Sequence, residues 1–262
     1  MKPIPPSARV LLPLTFLVMC VAPTGAETLR CRPIAAVPYT ITTPGAYCLT
    51  RDLSFSASSS TAITIQASNV LLDFNGHRLA GPATVGPANS YGISATAGVA
   101  NLTIRNGTVQ GFLYGINLGA SWFTDAYRGH VIEQMRVIDS YQGGILAGGR
   151  GTVIRDNQIA GIGTSTSLAS GGGQAGIFVF GVGTRVLDND ITKIIKSGTV
   201  GDSVGILLDV TKDALVERNR ITEADIGISF NAAGNTGKYR DNLTSSVTTP
   251  YSGTGTDAGN NH

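Results

Sequence analysis

Gly205-Ile206-Leu207-Leu208 and, a few residues on, Val216-Glu217-Arg218-Asn219-Arg220-Ile221 make up the phrase on which the fold turns. A glycine-isoleucine pair is followed about ten residues later by an apolar residue and a polar turn containing asparagine, with a second apolar residue two positions beyond. The pair recurs at Gly92-Ile93, Gly115-Ile116, Gly144-Ile145, Gly176-Ile177 and Gly227-Ile228. The turn recurs at Ile104-Arg105-Asn106-Gly107, Ile154-Arg155-Asp156-Asn157, Val186-Leu187-Asp188-Asn189 and Tyr239-Arg240-Asp241-Asn242, and the closing apolar position at Val109, Val137, Ile159 and Ile191. From Ile93 onward the isoleucines of the pair are spaced by 23, 29, 32, 29 and 22 residues.

A unit of at least 22 residues with three short β segments, no helical periodicity and a variable excess fits one coil of a parallel β-coil. Such coils stack about 4.8 Å apart, so backbone ladders run between coils and equivalent side chains pile into columns. The repeated Ile and Val positions then fill the interior. Asn157, Asn189, Asn219 and Asn242 form a column at a tight turn, where asparagine tolerates left-handed backbone and can bond to its neighbours above and below.

Composition agrees. The chain has 262 residues, 34 of them glycine, with 42% hydrophobic and 14% charged residues, against usual levels of roughly 7% glycine and about 25% charged. The apolar content excludes disorder, the lack of a strict glycine period excludes collagen, and the lack of a second long apolar run excludes a multi-span membrane protein. A single all-β domain is expected.

Residues 1–26 read as a cleaved secretory signal, with Lys2 and Arg9, an apolar stretch from Val10 to Ala22, and a small-residue end at Thr24-Gly25-Ala26. A secreted or periplasmic protein is expected, with no membrane span after cleavage. Nineteen basic minus 17 acidic residues is +2, and losing Lys2 and Arg9 leaves 17 minus 17, or zero. That balance gives no electrostatic footprint for nucleic acid. Cys31 and Cys48 remain as a pair and are expected to form a disulfide across the N-terminal loop. The reading divides the chain into a cap at 27–60, a β-coil body at 61–247 and a flexible polar tail at 248–262. The oligomeric state stays open.

The motifs resemble those of the right-handed parallel β-helix superfamily, the pectin-lyase-like proteins, from Ile63 to Thr244, with Asn69-Val70-Leu71-Leu72-Asp73-Phe74-Asn75-Gly76 as an early coil of the same kind. The resemblance implies about seven coils and three sheets. It also implies action on carbohydrate, because the superfamily holds polysaccharide lyases, uronate epimerases, glycoside hydrolases and non-catalytic sugar-binding or adhesive proteins. The Asn-Thr-Asp and Gly-His-Gly phrases of polygalacturonases and the Asp-Pro-His-Asp phrase of alginate epimerases do not occur in this chain.

Residues beyond the minimal coil point to a surface. Seven residues separate Val109 from Ile116, yet fourteen separate Leu79 from Ile93, eighteen Ile159 from Ile177, and fifteen Ile191 from Ile206. Ile116 to Ile132 takes sixteen where nine to eleven is usual. Insertions in solenoids become loops on a binding face, so loops are expected on both sides of the first sheet, making a trough. Alternation puts Ser94, Asn117, Leu146, Phe178, Leu207 and Ser229 outward on its floor, with Phe180 and Asp209 two residues further along. On the second strand the outward column reads Asp73, Arg105, Glu133, Arg155, Leu187, Glu217, Arg240, with Trp122, Tyr127, Arg128 and His130 on the long insertion beside it.

Lyase or C5-epimerase chemistry on an acidic polysaccharide needs a cation for the uronate carboxylate, a base and a proton donor. Arg105, Arg128 and Arg155 could supply the first, His130 or Tyr127 the second, and Tyr127 the third. Glu133, Trp122, Phe178, Phe180 and Asp209 are candidate substrate contacts. Two alternatives stay open. One is a non-catalytic carbohydrate-binding or adhesive module. The other is a glycoside hydrolase using a carboxylate pair from Asp156, Asp188 and Asp190. No cofactor or metal is expected, since the same carboxylates form no compact calcium loop.

Overall fold

The computed structural model describes Met1 and residues 31–82, 90–119, 126–163, 173–196 and 201–262. The signal-like segment after Met1 and the cleavage region lie outside the described residues. Cys31–His262 forms one compact unit. Its described residues hold 23 strands and no helix, joined in a single continuous parallel sheet.

Pairing runs from coil to coil in three series, and each builds one interior column. In the first, Ile63, Ile93, Ile116, Ile145, Ile177, Ile206 and Ile228 are aligned in register, and all are 0% exposed. The second aligns Leu72, Ile104, Ile132, Ile154, Val186, Val216 and Tyr239. The third aligns Leu79, Val109, Val137, Ile159, Ile191, Ile221 and Thr244. Stacked β-branched side chains fill the interior because each presents the same shape to the coil above and below.

The glycine of the pair is explained by this packing. A Cβ on Gly144 would lie 2.6 Å from the Gly176 carbonyl oxygen and 2.8 Å from Ile159 Cγ2; on Gly205 it would lie 2.7 Å from the Gly227 oxygen and 2.5 Å from Ile221 Cγ2. From Gly92 to Gly227 the first strand thus enters its coil against the β-branched residue of the third strand that follows in the same coil, at a distance that leaves no room for a Cβ.

The asparagine column forms a buried ladder. Asn157 Nδ2 donates to Asn189 Oδ1 at 3.0 Å, Asn189 Nδ2 to Asn219 Oδ1 at 2.9 Å, and Asn219 Nδ2 to Asn242 Oδ1 at 3.1 Å. Each amide also donates to a carbonyl of the neighbouring coil, Ile132, Ile154 and Val186 in turn. Left-handed backbone belongs to the residue before each asparagine, with Asp156, Asp188, Arg218 and Asp241 at φ between 53° and 56°. The two properties expected of one residue are therefore divided between two.

Both chain ends differ from the expected cap and tail. Strands Arg32–Ile34, Tyr39–Ile41, Gly45–Leu49 and Leu53–Ser54 already pair in parallel with the strands of the next coil. The Cys31–Cys48 disulfide, with Cα atoms 5.6 Å apart, joins the chain just before Arg32–Ile34 to the strand Gly45–Leu49 stacked on it. Residues 248–262 are not a loose tail. Strand Leu243–Gly253 pairs along the whole of Arg220–Phe230, Tyr251 continues the first interior column, and Asn242 Nδ2 donates to Asn261 Oδ1 at 3.1 Å. Their polar composition hid one aromatic and one asparagine that continue existing columns.

Replacing Asn219 with Ala removes bonds above and below and leaves the Asn189 amide donor and the Val186 carbonyl unmatched in the core. At about 1 to 3 kcal/mol for each stranded group, we expect Asn219→Ala to lose about 3 kcal/mol in urea unfolding. Asn261→Ala, at the exposed end of the ladder, should lose less than half of that.

Candidate functional site

The second-series outward column stands in register as expected, Asp73 to Arg105 to Glu133 to Arg155 to Leu187 to Glu217 to Arg240. Its charges neutralise one another. Arg105 Nε bonds Asp73 Oδ2 at 2.9 Å, Arg155 Nε bonds Glu133 Oε2 at 3.0 Å, and Arg240 bonds Glu217 Oε1 at 3.0 Å. The adjoining turn continues the pattern: Arg218 grips Asp188 with two bonds of 2.7 and 2.8 Å and also bonds Glu217, and Arg220 bonds Asp190 at 2.8 Å. The Glu133 carboxylate beside Arg155 raises the pKa of that guanidinium further, and Asp188 does the same for Arg218. Asp156 and Asp188 occupy left-handed turn positions, and Asp156 lies 4.0 Å from Arg155. Arg105, Arg155 and the three candidate hydrolytic carboxylates thus form a ridge of ion pairs rather than an open pocket.

His130 and Tyr127 do not overhang this ridge. Both are 0% exposed, and Tyr127 belongs to the apolar core. The imidazole and the phenol ring meet edge-on with centroids 4.5 Å apart. Strand parity explains the placement. His130 lies two residues before the inward Ile132 and one before the Val131 pairs with Thr103 and Val153, so it is level with Leu102 and Thr152, both buried. Neither of its ring nitrogens has a hydrogen-bond partner among the described residues. Desolvation pushes its pKa down to about 4, so at neutral pH it is an uncharged interior side chain. A polymer outside the helix cannot reach it, and the expected base and donor are withdrawn from the surface. Arg128 is exposed and forms a parallel bridge with Arg150. Trp122 lies outside the described residues.

The outward first-series face offers the more open surface. Ser94, Asn117, Leu146, Phe178, Leu207 and Ser229 align on successive coils, and all but Ser229 are partly exposed. Phe180 is fully buried; its ring lies across Gly148 on the neighbouring coil, where there is no room for a Cβ, and meets Phe178 edge-on at 6.1 Å. Asp209 sits at a bulge. Val179 pairs with Leu208 and Gly181 with Thr211, so Asp209 and Val210 together oppose Phe180. Val210 has φ 50° and is 43% exposed, a strained conformation for a β-branched residue of the kind that bulges use to re-aim a neighbour. Asp209 is partly exposed beside it.

Tyr91 and Tyr114 are the residues the sequence reading missed. Their rings stack at 6.1 Å with planes 21° apart, both partly exposed on adjacent coils. Tyr114 also lies against Gly143, where a Cβ would come within 2.5 Å of its ring. Burial pushes the Tyr114 phenol up to about 12, with Tyr91 adding to the effect. A signal was present, since tyrosine precedes the glycine-isoleucine pair in two consecutive coils, Tyr91-Gly92-Ile93 and Tyr114-Gly115-Ile116.

No protein-family model and no curated protein matches the chain. Among solved structures, full-length tailspike protein 2 from an Escherichia coli O157:H7 bacteriophage superposes with a TM-score of 0.57 at 13% identity, over 84% of this chain and 34% of that one. The enzymatically active domain of bacteriophage CBA120 tailspike protein 2 gives 0.50 at 13% identity, over 79% and 38%. An alginate lyase from Paenibacillus sp. str. FPU-7 aligns at 15% identity over 83% of this chain and 99% of its own, with a TM-score of 0.38. The chain spans about a third of the length of the tailspike structures it resembles. At such identities the likeness concerns the fold, and the protein is a right-handed parallel β-helix.

The buried imidazole makes stability depend on pH in a defined direction. The unfolded chain binds a proton below about 6.5 whereas the folded protein resists until about 4, so acid favours the unfolded state across that interval. Above pH 6.5 the group contributes no penalty; about 3 kcal/mol is lost as pH falls to 4, and the loss then levels off. We expect the urea midpoint of the protein to fall over this range more steeply than that of His130→Leu, as followed by circular dichroism.

Proposed function

We propose that the protein is exported and recognises an extracellular polysaccharide along the outward face of the first strand series. The stacked, partly exposed Tyr91–Tyr114 pair carries this reading. The two stacked rings on adjacent coils are partly exposed and offer their outward edges as apolar contacts for consecutive sugar rings. Asn117, one coil along from Ser94, adds an amide on the same face, and Asp209 adds a carboxylate further along it. The β-helix architecture supports a long, shallow surface of this kind, suited to a polymer rather than to an isolated small molecule. Export is supported by the signal-like N-terminus together with the Cys31–Cys48 bond, since such bonds persist in oxidising compartments.

Lyase or epimerase chemistry is a second reading, and one observation favours it. Tyr114 is partly exposed on the face where the sugar would lie, and its phenol, like that of any tyrosine, is protonated at neutral pH, the state required of a proton donor. His130 and Tyr127 play no part in either reading, and of the hydrolytic carboxylates Asp156 and Asp188 belong to left-handed turns while Asp190 is bonded by Arg220.

Binding of a panel of neutral and acidic glycans, with product formation followed in parallel, tests the proposal. We expect Tyr91→Ala and Tyr114→Ala together to weaken binding roughly tenfold while preserving the fold, given about 0.5 to 1.5 kcal/mol for each aromatic contact. Unsaturated ends that vanish in Tyr114→Phe would move the reading to elimination. Undiminished binding by the double variant would remove the aromatic platform from the account.

A further inference from the structure

On the edge where the first strand series turns into the second, the charges are arranged differently from those of the ion-pair ridge. Arg78, Arg105, Arg155, Arg218, Arg220 and Arg240 each lie within 4.0 Å of a carboxylate. Arg185, Lys212 and Lys238 are exposed and form no ion pair among the described residues. The backbone brings these three together. Arg185 pairs with Leu215, and Leu215 with Lys238, so the two cations occupy one outward column two coils apart, about 10 Å at the usual strand spacing. Lys212 lies on the coil between, paired with Val182 and accepting the Gly183 N–H through its carbonyl at 2.8 Å. In a chain with only 14% charged residues, these three cations without an ion pair outnumber the one carboxylate that lines the groove beside them, Asp213, which leaves the edge favourable to an anion.

Beside them runs an open groove of about 390 Å³, lined by Asp213, Ala214, Leu215, Thr236, Lys238 and Thr256. The walls combine what an anionic sugar unit requires. Ala214 and Leu215 supply an apolar floor for a ring face, Thr236 and Thr256 hydroxyls, Asp213 an acceptor for sugar hydroxyls, and Lys238 a cation for a carboxylate. Asp213 is held open by its turn, with φ 53° and its N–H donated to Thr236 Oγ1 at 3.0 Å. We infer that this groove, with Arg185 and Lys212 at its margin, is a second polysaccharide-binding site that takes carboxylated sugar units. Its ligand class rests on the polysaccharide reading above, but its residues are separate from the tyrosine platform.

The test compares two triple variants that lose the same charge. Arg185→Gln, Lys212→Gln and Lys238→Gln remove the edge; Arg136→Gln, Lys193→Gln and Lys196→Gln remove cations elsewhere on the surface. All six side chains are exposed or partly exposed, and a melting curve checks that each variant is folded. With calorimetry at two salt concentrations, we expect the edge variant to bind polygalacturonate about tenfold more weakly and with a flatter salt dependence, and the control to change less than about twofold. Equal loss in both variants, or affinity that salt does not alter, overturns the inference. Tighter binding of double-stranded DNA than of polygalacturonate by the unmodified protein overturns it in favour of a nucleic-acid edge. If no glycan binds, the polysaccharide reading falls, and elution from a dextran sulfate column decides the edge separately. Earlier elution of the edge variant alone sustains an anion-binding edge, and identical elution of both variants overturns it.

Discussion

The structure depends on a missing atom. In the six coils that begin at Gly92, Gly115, Gly144, Gly176, Gly205 and Gly227, the backbone of the first strand passes so close to the carbonyl of the next coil and to the β-branched methyl of the third strand that no Cβ can be accommodated. That approach closes each coil at its minimum circumference and brings Ile93, Ile116, Ile145, Ile177, Ile206 and Ile228 into one dry column. Once the coils are in register, every outward residue is also in register, and the surface becomes a set of parallel columns. The asparagine ladder fixes one corner in the same way, by joining each coil to the next through buried amides.

Regular stacking makes the position of a charge along the chain a statement about its neighbours in space. On the tight turn between the second and third series, acids and arginines alternate between coils and neutralise each other. On the opposite edge, Arg185, Lys212 and Lys238 follow one another without that alternation. The first-series face carries neither pattern and presents tyrosine, phenylalanine and small polar groups. The three surfaces therefore differ in the chemistry they present: paired charges on the ridge, cations without an ion pair on the basic edge, and aromatic rings on the first-series face.

Columns were legible in the sequence wherever a residue type repeated. The Gly-Ile pairs, the Asn157 to Asn242 ladder, the outward charge column and the Cys31–Cys48 pair could all be read before any coordinates, because period and residue type carried the same message. Side chains that occur once were not legible. His130 ends an insertion and so reads as a surface residue, although its parity with Ile132 places it inside. Phe180 has outward parity, but its ring folds down over Gly148, and that burial needed knowledge of the adjacent coil. At the C-terminus composition misleads, because it counts Gly and Thr and overlooks Tyr251 and Asn261, which fit existing columns. Tyr91 and Tyr114 were visible as a repeated Tyr-Gly-Ile, overlooked because it occurs in only two coils.

The most direct test of the coil-closure account is urea unfolding of Gly176→Ala beside Gly151→Ala. At Gly176 a Cβ would lie 2.7 Å from the Gly205 oxygen and 2.8 Å from Ile191 Cγ2, whereas at Gly151 nothing lies within 4 Å and only the positive φ of 67° resists substitution. The account predicts a loss of about 3 kcal/mol at Gly176 from overpacking and about 1 kcal/mol at Gly151 from backbone strain. Equal losses at the two positions, or a Gly176→Ala protein as stable as the unmodified one, would contradict it.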